Sequence, residues 1–225
     1  MQPEAQPPIN PLPPIVWLLF FAIVGVEITL SLGARGIIGG PEAIGWRLGA
    51  VRSYGFSGTV FDWMLSTGQA PFEHSIRLLT YPFVHQGFTS TLFAGVLLLA
   101  LGKLVGEVMG QLAVFVVFFL SAIIGAICFG LLTDQGWLTG AFPAVYGLIG
   151  AYTFLMWHQL DAAGEGPARA FGLIGFLMGI QIVFALFTGD LRWVADLAGF
   201  LSGLVLSFVV VPGGWARLLR MTRQR

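Results

Sequence analysis

Two acidic residues, Glu27 and Asp196, lie inside long apolar segments and are the first candidates for chemistry. An aspartate at the centre of a membrane-spanning helix costs about 2.5–3.5 kcal/mol on insertion scales, and less near the membrane surface. For Asp196, this cost predicts either a polar pocket inside the protein or a solvated position beside Trp193, and the sequence does not decide between them. For Glu27, an interfacial position or an internal hydrogen bond is favoured over a functional site.

Three serines and one histidine could supply hydrolytic chemistry, which needs an oxygen nucleophile and a neighbouring base. Ser90, Ser121 and Ser202 all lie in apolar segments. A serine in a membrane helix most often bonds to a carbonyl of its own helix or to a neighbouring helix. His85 lies about a turn and a half before Ser90, and we interpret it as a structural histidine at the membrane boundary. These residues alone therefore do not predict a catalytic pair.

The composition is that of a membrane protein. Apolar residues make up 56% of the chain and charged residues only 10%, whereas a soluble domain has about 25% charged residues. The mean hydropathy is +0.85. The formal net charge is zero, so nothing points to a nucleic-acid partner. The single cysteine, Cys128, excludes an intrachain disulfide and a cysteine-rich metal site, and we expect neither a metal nor a cofactor.

Six apolar segments are long enough to cross a membrane, which takes about 20 residues in a helix. They are predicted over residues 14–32, 78–101, 112–132, 140–157, 170–187 and 193–211. The long first loop, 33–76, has only short apolar runs, which predict amphipathic pieces at the membrane surface. A polar turn is predicted over 102–110. The sequence therefore predicts an all-α membrane protein in three parts: a disordered proline-rich lead (1–13), a six-helix membrane domain (14–212) and a basic tail (213–225).

The basic tail predicts the orientation of the chain. It carries Arg217, Arg220, Arg223 and Arg225, and basic residues beside a membrane span are typical of the cytoplasmic side. With six spans, the amino terminus lies on the same side, and the fourth and sixth spans both start from the outer face. We expect an integral protein of a bacterial inner (plasma) membrane with both termini in the cytoplasm.

Small residues recur every three or four positions in the fourth and sixth segments, so on a helix they line a face that a neighbouring backbone can approach closely. The fourth segment begins Gly140-Ala141-Phe142-Pro143-Ala144-Val145-Tyr146-Gly147-Leu148-Ile149-Gly150-Ala151. It resembles the nucleophile segment of the rhomboid intramembrane serine proteases, G-x-S-G-A-x-[YFS]-G-L-x-G-A, at Gly140, Ala144, Val145, Tyr146, Gly147, Leu148, Gly150 and Ala151.

The sixth segment resembles the family's A-H-x-x-G-x-x-x-G at Ala195, Gly199 and Gly203. The resemblance covers residues 78–211 and implies a rhomboid-like six-helix bundle with a long interfacial first loop.

The departures from the family pattern fall on the residues that carry its chemistry. Phe142 stands at the position of the nucleophilic serine, Pro143 replaces the following glycine, and Asp196 stands at the position of the catalytic histidine. In the family's H-x-x-x-N motif, whose side chains help to bind the oxyanion, the two positions fall on Ser90 and Ala94. Phenylalanine has no acidic proton and Asp196 has nothing to activate, so the resemblance implies a site without its catalytic residues. Pro143 suits the first turn of a helix but is predicted to push Phe142 out of the helical conformation.

Two shorter matches add to the resemblance. The dipeptide Trp46-Arg47 lies between the first and second spans and is similar to the Trp-Arg pair of the first rhomboid loop. Lys103 and Glu107 lie in a stretch that partly resembles the family's G-x-x-x-E-x-x-x-G joint, with the glutamate displaced by one residue.

The leading hypothesis is a multi-pass rhomboid-like pseudoprotease. Inactive members of this superfamily bind the transmembrane helices of client proteins and alter their stability or traffic. The resemblance therefore implies transmembrane clients and membrane lipids as partners, and no nucleic acid. The family's activity is serine-type intramembrane endoproteolysis, so an active protease that uses a non-standard residue is the second hypothesis. The third is a transport or lipid-perturbing component, which predicts that Glu27 and Asp196 line one polar cavity.

Overall fold

The computed structural model describes residues 11–133 and 136–211, and these are mostly helical. Judged by length and composition, five helical segments in this part of the chain are able to cross a membrane: Pro14–Ala34, Phe88–Met109, Gln111–Leu132, Pro167–Thr188 and Trp193–Val210. A further long helix, Phe142–Ala162, packs between several of them. The predicted all-α membrane fold is confirmed. Residues 1–10 and 212–225, which include the basic tail, lie outside the described residues.

Short helices fill the first loop, and long helices form the rest of the bundle. After α1 (Pro14–Ala34), the first loop contains a 3-10 helix (Pro41–Gly45), α2 (Trp46–Tyr54), strand β1 (Phe56–Ser57), α3 (Gly58–Thr67), α4 (Phe72–Ser75), α5 (Arg77–Thr80) and a second 3-10 helix (Tyr81–Phe83). Then come α6 (Phe88–Met109), α7 (Gln111–Leu132), strand β2 (Trp137–Leu138) and α8 (Phe142–Ala162). A third 3-10 helix (Pro167–Phe171) leads into α9 (Gly172–Thr188), which is followed by α10 (Trp193–Val210).

Helix α8 forms the centre of the bundle. It packs against α10, α7 and α6, and every residue over 143–151 is buried. Polar groups in a membrane domain face the bundle interior, which explains why this enclosed helix carries the buried Tyr146 and Thr153 and is less apolar than the five spans. Helix α9 is the opposite case, since only Ile174 and Met178 along it are buried.

Glycines bring the backbones of α8 and α10 into direct contact. A Cβ atom at Gly199 would overlap the carbonyl oxygen of Pro143, and one at Gly203 would overlap that of Gly147. A Cβ atom at Gly147 would in turn overlap the side chain of Ser121 on α7. Any larger residue at these positions would force the helices apart, so the motif glycines fix the relative position of α8 and α10.

The second span begins and ends later than the sequence predicted. Helix α6 covers Phe88–Met109 rather than 78–101. Pro82 has no N–H to donate, and Gly87 precedes α6 with an extended backbone. Residues 77–83 therefore form only short helices, and the long helix starts after them.

The predicted polar turn over 102–110 is wrong. Residues up to Met109 continue α6, and Lys103 and Glu107 form an ion pair of 3.8 Å one helical turn apart. The chain turns at Gly110, whose φ of +90° is a conformation that favours glycine. The charged residues that suggested a loop lie instead on the last two turns of the helix, where they pair with each other.

Helix α8 starts at Phe142 and ends at Ala162, beyond the predicted limit at 157. Pro143 occupies the first turn, where its missing N–H has no helical partner to lose. The prediction that Pro143 would push Phe142 out of the helix is therefore wrong. His158 lies near the end of α8, and its Nδ1 atom is 3.1 Å from the carbonyl oxygen of Phe154.

A two-stranded sheet, which the sequence did not predict, joins the first loop to the segment before α8. Strand β1 pairs antiparallel with β2, with Phe56 opposite Leu138 and Ser57 opposite Trp137. Each strand has two residues, too few to show the alternating pattern from which strands are recognised. The sheet holds the first loop beside the start of α8.

A buried ion pair anchors the first loop to α1. Arg47 donates to Oε2 of Glu27 from Nη1 at 2.9 Å and to Oε1 from Nη2 at 2.8 Å. The side chain of Glu27 is 3% exposed, and Ser31 and Thr91 also donate to its carboxylate. Arg47 Nη1 donates as well to the carbonyl oxygen of His85. Arg47 thus holds the first loop against α1 and against the segment that precedes α6.

Replacing Gly199 or Gly203 by alanine is expected to lower the free energy of unfolding by about 1–3 kcal/mol, because the added methyl group overlaps the backbone of α8. Unfolding in detergent micelles measures this change. Gly175→Ala and Gly179→Ala in α9 are matched controls, since a Cβ atom there has no neighbour within 4 Å. The controls should leave stability unchanged or raise it slightly, because alanine favours helix. Equal effects at all four positions would contradict the close contact between α8 and α10.

Arg47→Met is expected to cost about 3–5 kcal/mol of stability, because it leaves the buried Glu27 carboxylate without its partner. Arg47→Lys keeps the charge but loses the paired N–H groups, so its effect should be smaller. Glu27→Gln combined with Arg47→Met removes both charges and should recover part of the loss. Arg52→Met changes an exposed arginine of the same helix, α2, and serves as the control. An equal loss in the single and double variants would show that Arg47 does not stabilise Glu27.

Candidate functional site

A cavity of about 410 Å³ lies where the first turns of α8 and α10 face α9 and the start of α6. Phe142 and Pro143 from α8, Ser90 from α6 and Asp196 from α10 all line it. Phe142 and Asp196 occupy the positions that the family motifs give to the nucleophile and the histidine. The close contact between α8 and α10 therefore places these two positions on one cavity.

Asp196 is buried in this cavity rather than solvated beside Trp193, since only 5% of its surface is exposed. Its Oδ2 atom accepts a hydrogen bond from Nε2 of Gln181 at 2.9 Å, and the same nitrogen donates to the Oη atom of Tyr146 at 2.7 Å. The three side chains link α10, α9 and α8. Asp196 therefore lies in a polar pocket inside the protein, which is one of the two positions that the sequence left open.

Gln181 is a part of this network to which no sequence motif pointed. It is the one polar residue in the apolar run 172–187. Polar residues in membrane spans usually face a cavity or the bundle interior, so this isolated glutamine was a usable signal. Its Oε1 atom is buried and accepts no hydrogen bond from the residues that the structure describes.

The cavity has no hydroxyl group at the nucleophile position. Phe142 is half-buried and presents only ring carbons. Ser90 lines the cavity, but in the described part of the chain Asp196 is hydrogen-bonded to Gln181 and not to Ser90. Ala94 is fully buried and has no side-chain donor. Among the described residues, no serine or threonine hydroxyl of the cavity wall is hydrogen-bonded to Asp196.

The two other candidate serines lie between α7 and α10, outside the wall of the cavity. Ser202 Oγ is 3.0 Å from Ser121 Oγ and 2.8 Å from the carbonyl oxygen of Gly199. Both side chains are buried. They satisfy each other inside the bundle, as serines in membrane helices usually do.

His85 shapes the turn that begins α8. It is 1% exposed, and its Nε2 atom accepts a hydrogen bond from the N–H of Ala141 at 3.2 Å. The neighbouring Gly140 has a φ of +92°, and its N–H donates to the carbonyl oxygen of Tyr81 at 3.0 Å. Burial lowers the pKa of His85 to about 4, although the Glu27 carboxylate acts in the opposite direction. A neutral imidazole therefore holds the backbone next to Phe142.

An ion pair stands beside Asp196 on the wall of the cavity. Arg192 Nε donates to the two carboxylate oxygens of Asp190 at 3.0 and 2.8 Å, in the loop between α9 and α10. Burial alone would raise the pKa of Asp190, but the hydrogen bonds from Arg192 outweigh it and lower the pKa below its usual value. Both groups are charged at neutral pH, and their charges offset each other.

Glu27 lies on a different cavity from Asp196. That cavity, of about 460 Å³, is formed by α1 and α6 and includes Ser31 and Thr91 in its wall. The third hypothesis, a transport or lipid-perturbing component, predicted that Glu27 and Asp196 line one polar cavity. The two residues line different cavities, so the structure does not support it.

Lowering the pH from about 6.5 to about 4 is expected to destabilise the protein through His85. The pKa is 6.5 in the unfolded chain and about 4 in the folded protein. The unfolded state therefore binds the proton first, and up to about 3 kcal/mol of stability is lost across this window. His85→Gln keeps an acceptor for Ala141 and should show a weaker dependence of Tm on pH, whereas the control His158→Gln should match the unaltered protein. An unchanged pH dependence in His85→Gln would contradict this role.

Comparisons with known proteins identify the family of this chain. Residues 73–213, more than half of the chain, match the sequence model of the Rhomboid domain. The chain is also similar to "Putative rhomboid protease YdcA" of Bacillus subtilis (strain 168), with 26% identity over 136 residues, which make up 60% of this chain and 67% of that protein. Together with the all-α membrane fold, this match shows that the chain belongs to the rhomboid family.

Proposed function

We propose that this chain is a catalytically inactive rhomboid that binds the transmembrane segments of client proteins without cleaving them. The observation that carries the proposal is the chemistry of the cavity wall, where Phe142 and Asp196 stand in place of a hydroxyl group and an imidazole. A benzyl ring has no lone pair with which to attack a carbonyl and no proton to transfer. An acyl-enzyme intermediate therefore has no atom on which to form at this position.

The surroundings of Asp196 and the start of α6 support the same proposal. The carboxylate of Asp196 bonds to the amide of Gln181, whereas a general base must lie within hydrogen-bond reach of the proton that it removes. Ala94 offers no donor to an oxyanion and Ser90 offers one. Removing a single oxyanion donor typically lowers kcat by about 10²–10³-fold, so the loss of the family's donors alone would leave little activity.

The side of the cavity formed by α9 suits a transmembrane helix. In the most apolar 18 residues of the span Pro167–Thr188, only 17% of the residues are buried inside the protein. The same share is 28–50% in the other four spans. Ile180 and Phe184, which line the cavity, are 42% and 64% exposed. A client helix can pack on these side chains, or move α9 aside, with few protein contacts to break.

We also propose that the protein lies in a bacterial inner membrane with both termini in the cytoplasm. Lipids would then cover the apolar outer faces of the bundle, such as Leu18 on α1, 65% exposed, and Phe187 on α9, 83% exposed. Large apolar side chains at this level of exposure need a nonpolar environment. Bilayer lipids and client helices both provide one.

Two observations favour an active protease instead. Ser90 lines the same cavity as Asp196, so it is the serine that could serve as a substitute nucleophile. The Bacillus subtilis relative also has "protease" in its name. This alternative requires Asp196 to leave Gln181 and to accept the proton of Ser90.

Unaltered protein in liposomes is expected to bind a single-span fluorescent reporter and to leave it intact. The reporter segment contains glycine, which destabilises a helix relative to alanine; energy transfer reports binding, and mass spectrometry detects products. Phe142→Ser, Pro143→Gly and Asp196→His together should gain cleavage, because they restore the nucleophile and the base. The rate should stay below that of a complete family member, since Ser90 and Ala94 remain at the oxyanion positions.

Single serine variants separate the two functions. Cleavage by the unaltered chain that Ser90→Ala abolishes would establish the active protease. Ser121→Ala is the matched control, because it makes the same change at a buried serine away from the cavity. A failure of every reporter to bind would contradict the client-binding function, whatever the result for cleavage.

A further inference from the structure

We infer that the cavity selects its clients by charge, and that it receives a transmembrane segment with a lysine or arginine side chain at the depth of Asp196. This inference rests on the proposed client binding and adds to it the chemistry of the recognised residue. Three features of the cavity support it: an unbalanced charge, an unmatched acceptor and an apolar wall.

The charges that line the cavity do not balance. They belong to Asp190, Arg192 and Asp196. Arg192 Nη2 lies 2.6 Å from Oδ2 of Asp190, so these two offset each other. Among the described residues Asp196 forms no ion pair with a basic side chain, since the guanidinium of Arg192 is bonded to Asp190, and the neutral amide of Gln181 is its hydrogen-bond donor. A carboxylate inside a membrane bundle normally pairs with a cation, so the cavity is matched to a positively charged ligand.

A second unmatched acceptor belongs to the residue that binds Asp196. Oε1 of Gln181 is buried without a donor from the described residues, while Nε2 of the same amide bonds to Asp196 and Tyr146. Buried acceptors in folded proteins nearly always have a partner, so this atom points to a missing donor. An ammonium carries three N–H donors and a guanidinium five. Either group is able to serve both acceptors, whereas a carboxylate ligand, which only accepts, serves neither.

The rest of the cavity suits the stem of a basic side chain. Ile180 and Phe184 on α9 and Phe142 on α8 supply apolar wall. Lysine and arginine lay their aliphatic stems on apolar surface while the charged head reaches a polar group. The volume of about 410 Å³ lies within the range of roughly 300–1,000 Å³ that is typical of ligand sites. A side chain that projects from a helix packed on α9 therefore has room to reach Asp196.

A client segment fits this site better than a lipid head group. Phosphatidylethanolamine also has an ammonium, but its phosphate is attached only a short distance away. That phosphate would lie near the carboxylates of Asp190 and Asp196. In the described part of the cavity wall, the cation that could offset it, Arg192, is already held by Asp190. A lysine or arginine side chain brings a positive charge with no anion attached.

The test uses the full-length protein in phosphatidylcholine–phosphatidylglycerol vesicles and fluorescent leucine–alanine peptides that span the membrane. A lysine is moved through successive positions near one peptide end, and matched peptides carry methionine or glutamate there. At the best position, the lysine peptide should bind about tenfold more tightly than the methionine peptide, or about 1.4 kcal/mol, and the glutamate peptide should bind most weakly. Asp196→Asn should remove most of this preference. The control Asp161→Asn, which changes an exposed carboxylate at the far end of α8, should keep it.

The outcomes separate this inference from the function on which it rests. Equal affinity for lysine and methionine peptides at every position overturns charge selection but leaves client binding in place. No binding of any peptide overturns both. A lysine preference that persists in Asp196→Asn, or that disappears when phosphatidylethanolamine is added, also overturns the inference, because the ammonium then binds elsewhere or belongs to the lipid. The comparison between peptides needs no altered protein, so it decides the question even if Asp196→Asn folds poorly.

Discussion

The direct contact between the backbones of α8 and α10 is the constraint on which the rest of the structure depends. Gly199 and Gly203 have no room for a side chain, because the carbonyl oxygens of Pro143 and Gly147 lie where a Cβ atom would be. Two helices in contact along this line bring their first turns to a common cavity. The geometry of the site is therefore set by glycines, which carry no functional group. Side chains on the first turns of α8 and α10 line the same cavity.

The interactions that support the site are separate from residues 142 and 196. The turn before α8 is set by the buried ring of His85, which accepts the N–H of Ala141. The first loop is held by the ion pair between Arg47 and Glu27. Neither interaction uses residue 142 or 196, so changes at those positions alter what the cavity can bind or cleave without removing its supports. In the function proposed here, Asp196 serves as a binding group.

Local patterns predicted most of the fold, and contacts between distant residues account for what they missed. Hydropathy identified the membrane class, and glycine spacing in two segments identified the family, because both signals are contained in short stretches of chain. The limits of α6 were misplaced, since charged Lys103 and Glu107 pair on the helix surface instead of ending it. The bond of Gln181 to Asp196 joins residues from different helices, and nothing local in the sequence specifies such a pair. Phe142 and Asp196 line one cavity, and they were singled out by their positions in the family motifs rather than by the physics of either residue.

The central claim is that the cavity at the family site contains no reactive hydroxyl group. The most direct measurement is the intact mass of the membrane-embedded protein after treatment with a fluorophosphonate, which reacts covalently with an activated serine; an active rhomboid protease treated in parallel shows that the reagent reaches such a site. Because Phe142 has no nucleophilic atom and Asp196 is bonded to Gln181, the protein should keep its unmodified mass while the active enzyme gains one adduct. An adduct on this chain that maps to Ser90 would contradict the account.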